Sequence, residues 1–250
     1  MKNTFGKKFG RLVTNYQKAR RAYPVETLSY LKHHLWSRHL KILDLGCGTG
    51  IATRQMAKFG HVIGADPDAA MLRVAKRHSR IQDENYVRAT ARRLPWSNAS
   101  FDAVTAFSAF HWFTDPKSIA EIKRVLKPGS IFFVANKNGV RSWGAGYRNV
   151  IMQAIHRPVA DFIKTTDYDP KKILARHGFK KIRVRTWKKS EFYSLKNALE
   201  YVQSTSIWNS VPPRLRLRAL TSLKAFFQAT LRKRGKIERR LNVRVVIGTK

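Results

Sequence analysis

With 250 residues, 43% of them hydrophobic, the chain is long enough for one α/β domain and too apolar for wholesale disorder. Fifty Lys and Arg against fifteen Asp and Glu give a formal charge of +35, a field that draws in nucleic acid, acidic proteins, anionic lipid and small polycarboxylates alike. One cysteine excludes an internal disulfide, the lysine-bearing N-terminus lacks the apolar run of a secretory signal, and nothing approaches the roughly 18 apolar residues of a membrane span, so a cytoplasmic protein with no membrane partner is expected.

In chain order, Lys8 to Trp36 reads as helical, broken at Tyr23-Pro24 where proline suits the first turn of a new helix. Lys41 to Leu45 is a short apolar run that ends in Gly46-Cys47-Gly48-Thr49-Gly50, the pattern of a buried parallel strand feeding a glycine turn. A helix over Ile51 to Phe59 closes at Gly60 as a C-cap, His61 to Asp66 is a second strand, and Pro67 to Arg80 a second helix. Strands at Asn85 to Ala89 and Phe101 to Phe107 follow, then a helix from Asp115-Pro116 to Leu126 and a strand from Ser130 to Ala135. This alternation predicts a parallel sheet with right-handed crossovers. Beyond it, helices are expected within Asn138 to Ile155 and over Pro170 to His177, Leu195 to Ser204 and Leu215 to Arg234. Strands at Phe179 to Trp187 and Leu241 to Ile247 would close the sheet with an antiparallel pair. The spread of basic residues along all of these elements fits a generally basic background better than a dedicated nucleic-acid surface.

The chemistry starts at Asp44-x-Gly46-x-Gly48-x-Gly50. Alternate glycines let a turn tighten after a strand and let backbone N–H groups approach a ligand closely. The spacing differs from the Gly-x-Gly-x-x-Gly that seats a pyrophosphate, and suits a ligand without phosphate. Asp66 stands 22 residues after Asp44, at a strand end where a carboxylate accepts ribose hydroxyls. The alternative for Asp66 is a cap on the helix that follows Pro67.

These residues carry a resemblance. Ile42 to Gly50 resembles motif I of class I S-adenosylmethionine-dependent methyltransferases, and Gly64-Ala65-Asp66-Pro67-Asp68-x-x-Met71-Leu72 resembles the motif after it. Leu94-Pro95-Trp96, Ser100 to Val104 and Arg124 to Gly129 complete the set in order. Tyr16-x-x-x-Arg20-x-x-Tyr23-Pro24, Ala109-Phe110-His111-Trp112-Phe113 and Tyr201 to Ser206 are similar to segments of the methyltransferase type 11 group that includes trans-aconitate methyltransferases. Arg21 and Arg92 depart from that group, which has a proline and an acid at those places.

The resemblance implies a Rossmann-like, seven-stranded, mostly parallel sheet with helices on both faces and an antiparallel C-terminal strand. It implies one domain over residues 1–250, with a helical lid (1–36), a cofactor-binding core (40–136) and an acceptor side (137–250). S-adenosyl-L-methionine would be held by Tyr16, Arg20, Asp44, Gly46, Cys47, Gly48, Gly50, Asp66, Pro67, Met71, Ala91, Arg92 and Phe107. The resemblance gives adenine the backbone N–H of Ala91, while Arg92 replaces the acid whose side chain the group has beside it. Tyr23, His111, Trp112 and Trp143 would face the acceptor, with His111 the catalytic candidate. Alternatives are a packing histidine at 111, a solvated helix at Tyr16 to Tyr23 and a surface tryptophan at 143. No histidine stands at metal-ligand spacing, so no metal is expected. The expected acceptor is a small anion, such as a trans-aconitate-like polycarboxylate, or malonyl-acyl-carrier protein, methylated on a carboxylate oxygen. Other members of the group methylate carbon or nitrogen, and nucleic acid is the competing partner. Ser108-Ala109-Phe110-His111 lacks the Pro-Pro-aromatic motif of many base-amino methyltransferases, and Cys47 lies in the glycine loop rather than where a C5 nucleophile would act.

Overall fold

In the computed structural model, which describes residues 19–35, 40–79, 85–140, 144–156 and 168–250, the central apolar runs lie side by side in one seven-stranded sheet. Strands β1 (Leu40–Leu45), β2 (Gly60–Asp66), β3 (Tyr86–Arg88), β4 (Phe101–Phe107) and β5 (Leu126–Gly139) are parallel. β6 (Lys180–Tyr193) and β7 (Ile237–Thr249) complete the order β3-β2-β1-β4-β5-β7-β6, with β7 antiparallel to both neighbours. Ile42, Leu43, Ala103, Val104, Phe132 and Phe133 are fully buried. Burial on both faces is why these strands read as continuous apolar runs rather than alternating ones.

Helices α1 (Val25–His33) and α2 (Ile51–Met56) cover one face through Leu28, Leu31, Ala52 and Met56. α3 (Ala69–Arg77) lies on that same face, where Leu72 and Ala75 pack with Tyr86 of β3. On the other face α4 (Pro116–Val125) and, farther along, α6 (Pro170–Arg176) follow the crossover connections, with Ile119, Ile122 and Leu174 in the core. α5 (Gly144–Ala154), α7 (Leu195–Gln203), α8 (Ser206–Asn209) and α9 (Arg216–Arg234) build a separate helical layer. Its core of Tyr147, Ile151, Tyr201, Val202, Leu223 and Phe227 packs on Tyr193 and Ile237 at the β6 and β7 ends.

Several boundaries differ from expectation for identifiable reasons. Residues 20–24 are not helical, and Pro24 sits at the N-cap of α1 rather than inside its first turn; the helix expected from Lys8 otherwise lies largely outside the described residues. α2 tightens into a 3₁₀ turn at Ala57–Phe59, and Gly60 is both the C-cap of that turn, as expected, and the first residue of β2, paired with Leu40. α3 is shorter than expected because His78 already caps its carboxyl end. β6 and β7 run well past their apolar segments, paired from Arg183↔Ile247 to Tyr193↔Ile237. Their polar outer ends have no apolar run to betray them.

Candidate active site at the carboxyl edge of the sheet

β1, β2 and β4 end together, so Leu45, Asp66 and Phe107 reach one edge, where open α/β sheets bind ligands. After β1 the chain turns at Gly46, whose amide and that of Cys47 both donate to the Ala65 carbonyl at 2.7 and 3.1 Å. Gly46 has φ +73° and its missing Cβ would lie 2.6 Å from the Ala109 Cβ, so the loop after β4 packs directly on the glycine turn. Gly48, at φ +56°, is different: a Cβ there would meet nothing within 4 Å.

Asp44, which the resemblance assigns to the cofactor, is buried beneath the loop. It is 1% exposed, and its two oxygens accept from Thr53 Oγ1 of α2 at 2.6 Å and Thr105 Oγ1 of β4 at 3.1 Å. Burial pushes its pKa up to about 6, against the two threonine hydrogen bonds, with the nearby Asp66 adding to the rise. It ties β1, β4 and α2 together beneath the loop. A raised folded pKa means that the folded state holds the proton more tightly between the ordinary carboxylate range and about 6. Wild-type stability therefore falls across that window as pH rises, by up to about 3 kcal/mol for this group. Asp44→Asn removes the effect. In thermal melts it should gain on the wild type between pH 4 and pH 6.5 and run parallel above; a constant gap would show Asp44 ionised throughout.

Asp66 is the carboxylate that meets the edge. Its Oδ2 accepts from the Gly48 amide at 2.9 Å and its Oδ1 from the Asp68 amide at 2.8 Å. Each oxygen thus has a second lone pair left for a ligand hydroxyl. Burial raises its pKa to about 6, opposed by those two amides. The helix cap considered for Asp66 is supplied instead by Asp68, whose Oδ1 accepts from Ala70 and Met71. A carboxylate with two spare acceptor positions, beside a glycine whose Cβ position is open, fits a vicinal diol and an adjoining amino-acid moiety.

The other expected contacts divide. Cys47 turns its thiol inward beside Gly64 and Tyr86, where burial pushes its pKa well up, so it contributes packing. Pro67 is exposed, and its carbonyl accepts from Arg88 Nε. Met71 and Ala91 are buried, and Arg92, mostly solvent-exposed, pairs with Asp115, the N-cap of α4, at 3.3 Å. Phe107 is covered by the edge of Tyr23 at 4.6 Å and by Phe133. Tyr16 and Trp143 lie outside the described residues. The Arg20 guanidinium lies 4.8 Å from the Tyr201 ring centre and donates to Tyr201 Oη and the Ser204 carbonyl.

On the acceptor side, His111 and Trp112 form a 3₁₀ turn after β4, with Trp112 49% exposed. The His111 ring packs against Trp112 and Tyr168, and the loss of water there holds its pKa below the ordinary histidine value, so it is neutral at pH 7. Tyr23 Oη lies 2.6 Å from Ser108 Oγ, and Ser108 holds φ +53° at the end of β4. Sequence reasoning missed Ser108, Gln55 and a buried charge cluster. In that cluster Lys137 Nζ and Arg239 each bind the Glu191 carboxylate at 2.9 Å, Tyr193 Oη donates to it at 2.7 Å, and Lys137 also holds the carbonyls of Arg21 and Ala22. Among the described residues no group of three potential metal ligands occurs, and no described helix is long and apolar enough to cross a membrane.

Removing the freedom of Gly48 tests the loop. Gly48→Ala should cost the fold only about 1–2 kcal/mol for its left-handed backbone while lowering affinity for S-adenosylhomocysteine by at least about tenfold, roughly the cost of displacing one contact. Calorimetric titration beside a melting curve checks both; unchanged affinity would put the ligand elsewhere.

Residues 43–134 match the family described as a methyltransferase domain. An uncharacterized methyltransferase of Mycobacterium tuberculosis is 34% identical over 122 residues, 48% of each chain. A ubiquinone biosynthesis O-methyltransferase of Hahella chejuensis is 40% identical over 103 residues, 39% of this chain and 43% of that one. The chain thus aligns with about half the length, or less, of these curated relatives. A Haemonchus contortus phosphoethanolamine N-methyltransferase, solved with S-adenosyl-L-methionine, superposes with TM-score 0.54 at 19% identity, over 96% of this chain and 57% of the other. The sheet order and the single antiparallel strand are those of the Rossmann-like methyltransferase fold.

Proposed function

We propose that this chain, which carries a class I S-adenosylmethionine-dependent methyltransferase domain, methylates a carboxylate oxygen of an anionic acceptor, free or borne on an acidic carrier protein. Bound S-adenosylmethionine supplies a sulfonium methyl group. Asp66 would accept the ribose hydroxyls, and Gly48 leaves room for the ligand over the loop. In-line transfer needs the acceptor oxygen held in place more than it needs proton chemistry. An ionised carboxylate requires no base. His111, neutral at pH 7, is then an orienting wall; with an alcohol acceptor it would be the base.

One observation carries the choice of a carboxylate. Lys137 and Arg239 share a single carboxylate, Glu191, and Arg20 and Arg239 each stack on Tyr201 at 4.8 and 4.7 Å. Such an excess of poorly hydrated cations favours an anionic guest. Transfer of labelled methyl into a cell extract tests the reading: label released as methanol by mild base is a methyl ester. Base-stable label in RNA would replace it.

That second reading has its own observation. The edge strand β6 carries Lys180, Lys181, Arg183, Arg185, Lys188 and Lys189, a concentration suited to phosphates. The same charges also guard an open sheet edge against self-pairing, and the expectation of a nucleic-acid partner rests on charge, that of β6 and of the chain as a whole.

A further inference from the structure

Three consecutive residues of α2 reach in three directions. Thr53 Oγ1 donates to Asp44 at the end of β1, and Arg54 Nη1 donates to the Thr49 carbonyl in the glycine loop at 2.8 Å. Gln55 reaches across to the segment Arg20–Pro24, where its Oε1 accepts from the Tyr23 amide at 2.8 Å and its Nε2 donates to the Tyr23 carbonyl at 2.9 Å. A primary amide that satisfies both backbone groups of one residue acts as a short piece of added strand. It fixes Tyr23 in translation and in rotation about the chain. Tyr23 in turn sets its ring on Phe107 and its hydroxyl on Ser108, at the mouth of β4.

We infer that Gln55 is a positioning residue that couples occupancy of the glycine loop to the placement of Tyr23 on the acceptor side. The coupling runs through α2: a ligand that quiets Gly46–Gly50 also quiets the helix growing from Gly50, and with it the two bonds that hold Tyr23. Lys137 holds the strap one and two residues earlier, at Arg21 and Ala22. Loop ligand and acceptor would then bind with mutual assistance, the helix being the shared element that each must order. The inference rests on the loop being the cofactor site.

Hydrogen exchange measured by mass spectrometry on the whole chain, with and without saturating S-adenosylhomocysteine, tests it without any acceptor. In the wild type the ligand should slow exchange in the loop and also in the segment Ala22–Val25, the latter by on the order of tenfold. Gln55→Ala, and Gln55→Glu, which keeps the acceptor for the Tyr23 amide but loses the donor to its carbonyl, should still bind the ligand, weakened by no more than the coupling itself, about tenfold. Both should keep loop protection and lose the ligand-dependent protection of 22–25. A merely structural glutamine would raise exchange of that segment equally with and without ligand, and that result overturns the coupling. Loop protection without any response at 22–25 in the wild type also overturns it, while leaving the cofactor reading intact. Absence of any loop response would remove the cofactor reading and the coupling together.

Discussion

Asp66→Ala should reduce affinity for S-adenosylhomocysteine by at least about 100-fold, the loss of two hydrogen bonds to a charged acceptor at about 1.5–3 kcal/mol each. The fold should not suffer in proportion. Asp66 is ionised at neutral pH only against a burial penalty that raises its pKa to about 6. Deleting the carboxylate relieves that penalty while freeing the amides of Gly48 and Asp68. Melting temperature should therefore change little at pH 7.5 while binding collapses, and Asp66→Asn, with one acceptor oxygen left, should fall between. In the wild type the same carboxylate sets a pH dependence. Ligand affinity should be flat above about pH 7 and decline as the pH drops through 6, because the protonated acid loses acceptor strength. Isothermal titration across pH 5 to 8 reads all of this. Affinity of the alanine variant within threefold of wild type would move the ribose away from β2.

What the sequence disclosed follows from how local each signal is. The buried parallel strands announced themselves because both faces are covered, and the loop did because its turn geometry at Gly46 and Gly48 restricts residue type over five positions. Asp66 was found with them because strand and turn fix its distance from the glycines. Asp44 was found in place, but the sequence cannot show that Thr53 and Thr105, 9 and 61 residues away, donate to its oxygens. The contacts of Arg20 with Tyr201 and Ser204, 181 and 184 residues on, had no signal in the sequence either. Gln55, Ser108, Lys137 and Glu191 had no signal at all. Each is one polar residue whose partner is distant in the chain, and such a pairing leaves no periodicity to detect. The helical layer of α5, α7 and α9 was legible as helices, yet its seat on the β6 and β7 ends was not, since those extensions are mostly polar on their outer side.

The charge cluster that no motif announced should be the most sensitive polar point of the fold. Glu191 lies behind Lys137 and Arg239, with side-chain exposures of 12%, 11% and 7% respectively. Burial pushes its pKa upward, but the charge of Lys137, the hydroxyl of Tyr193 and the charge of Arg239 more than offset this and hold it below the usual carboxylate range. Burial likewise lowers the pKa of Lys137, and the neighbouring Arg239 and Arg20 lower it further although Glu191 opposes them. Cations outnumber the anion, so the two ends of each pair are not equivalent. Glu191→Gln leaves the cations buried without a counter-charge and should cost about 3–5 kcal/mol, which for a chain of this size is a drop of roughly 10 °C in melting temperature. Lys137→Met removes one cation and leaves Glu191 still paired with Arg239 and Tyr193; the two exposed backbone carbonyls that it held turn to water. Its cost should be clearly smaller, about 1–2 kcal/mol. Urea unfolding of the two variants decides the matter. A larger loss for the glutamine than for the methionine substitution shows that the cluster is short of negative charge, as a site awaiting an anion would be. Equal losses would mean that the cluster is not short of negative charge and would speak against an anion site there.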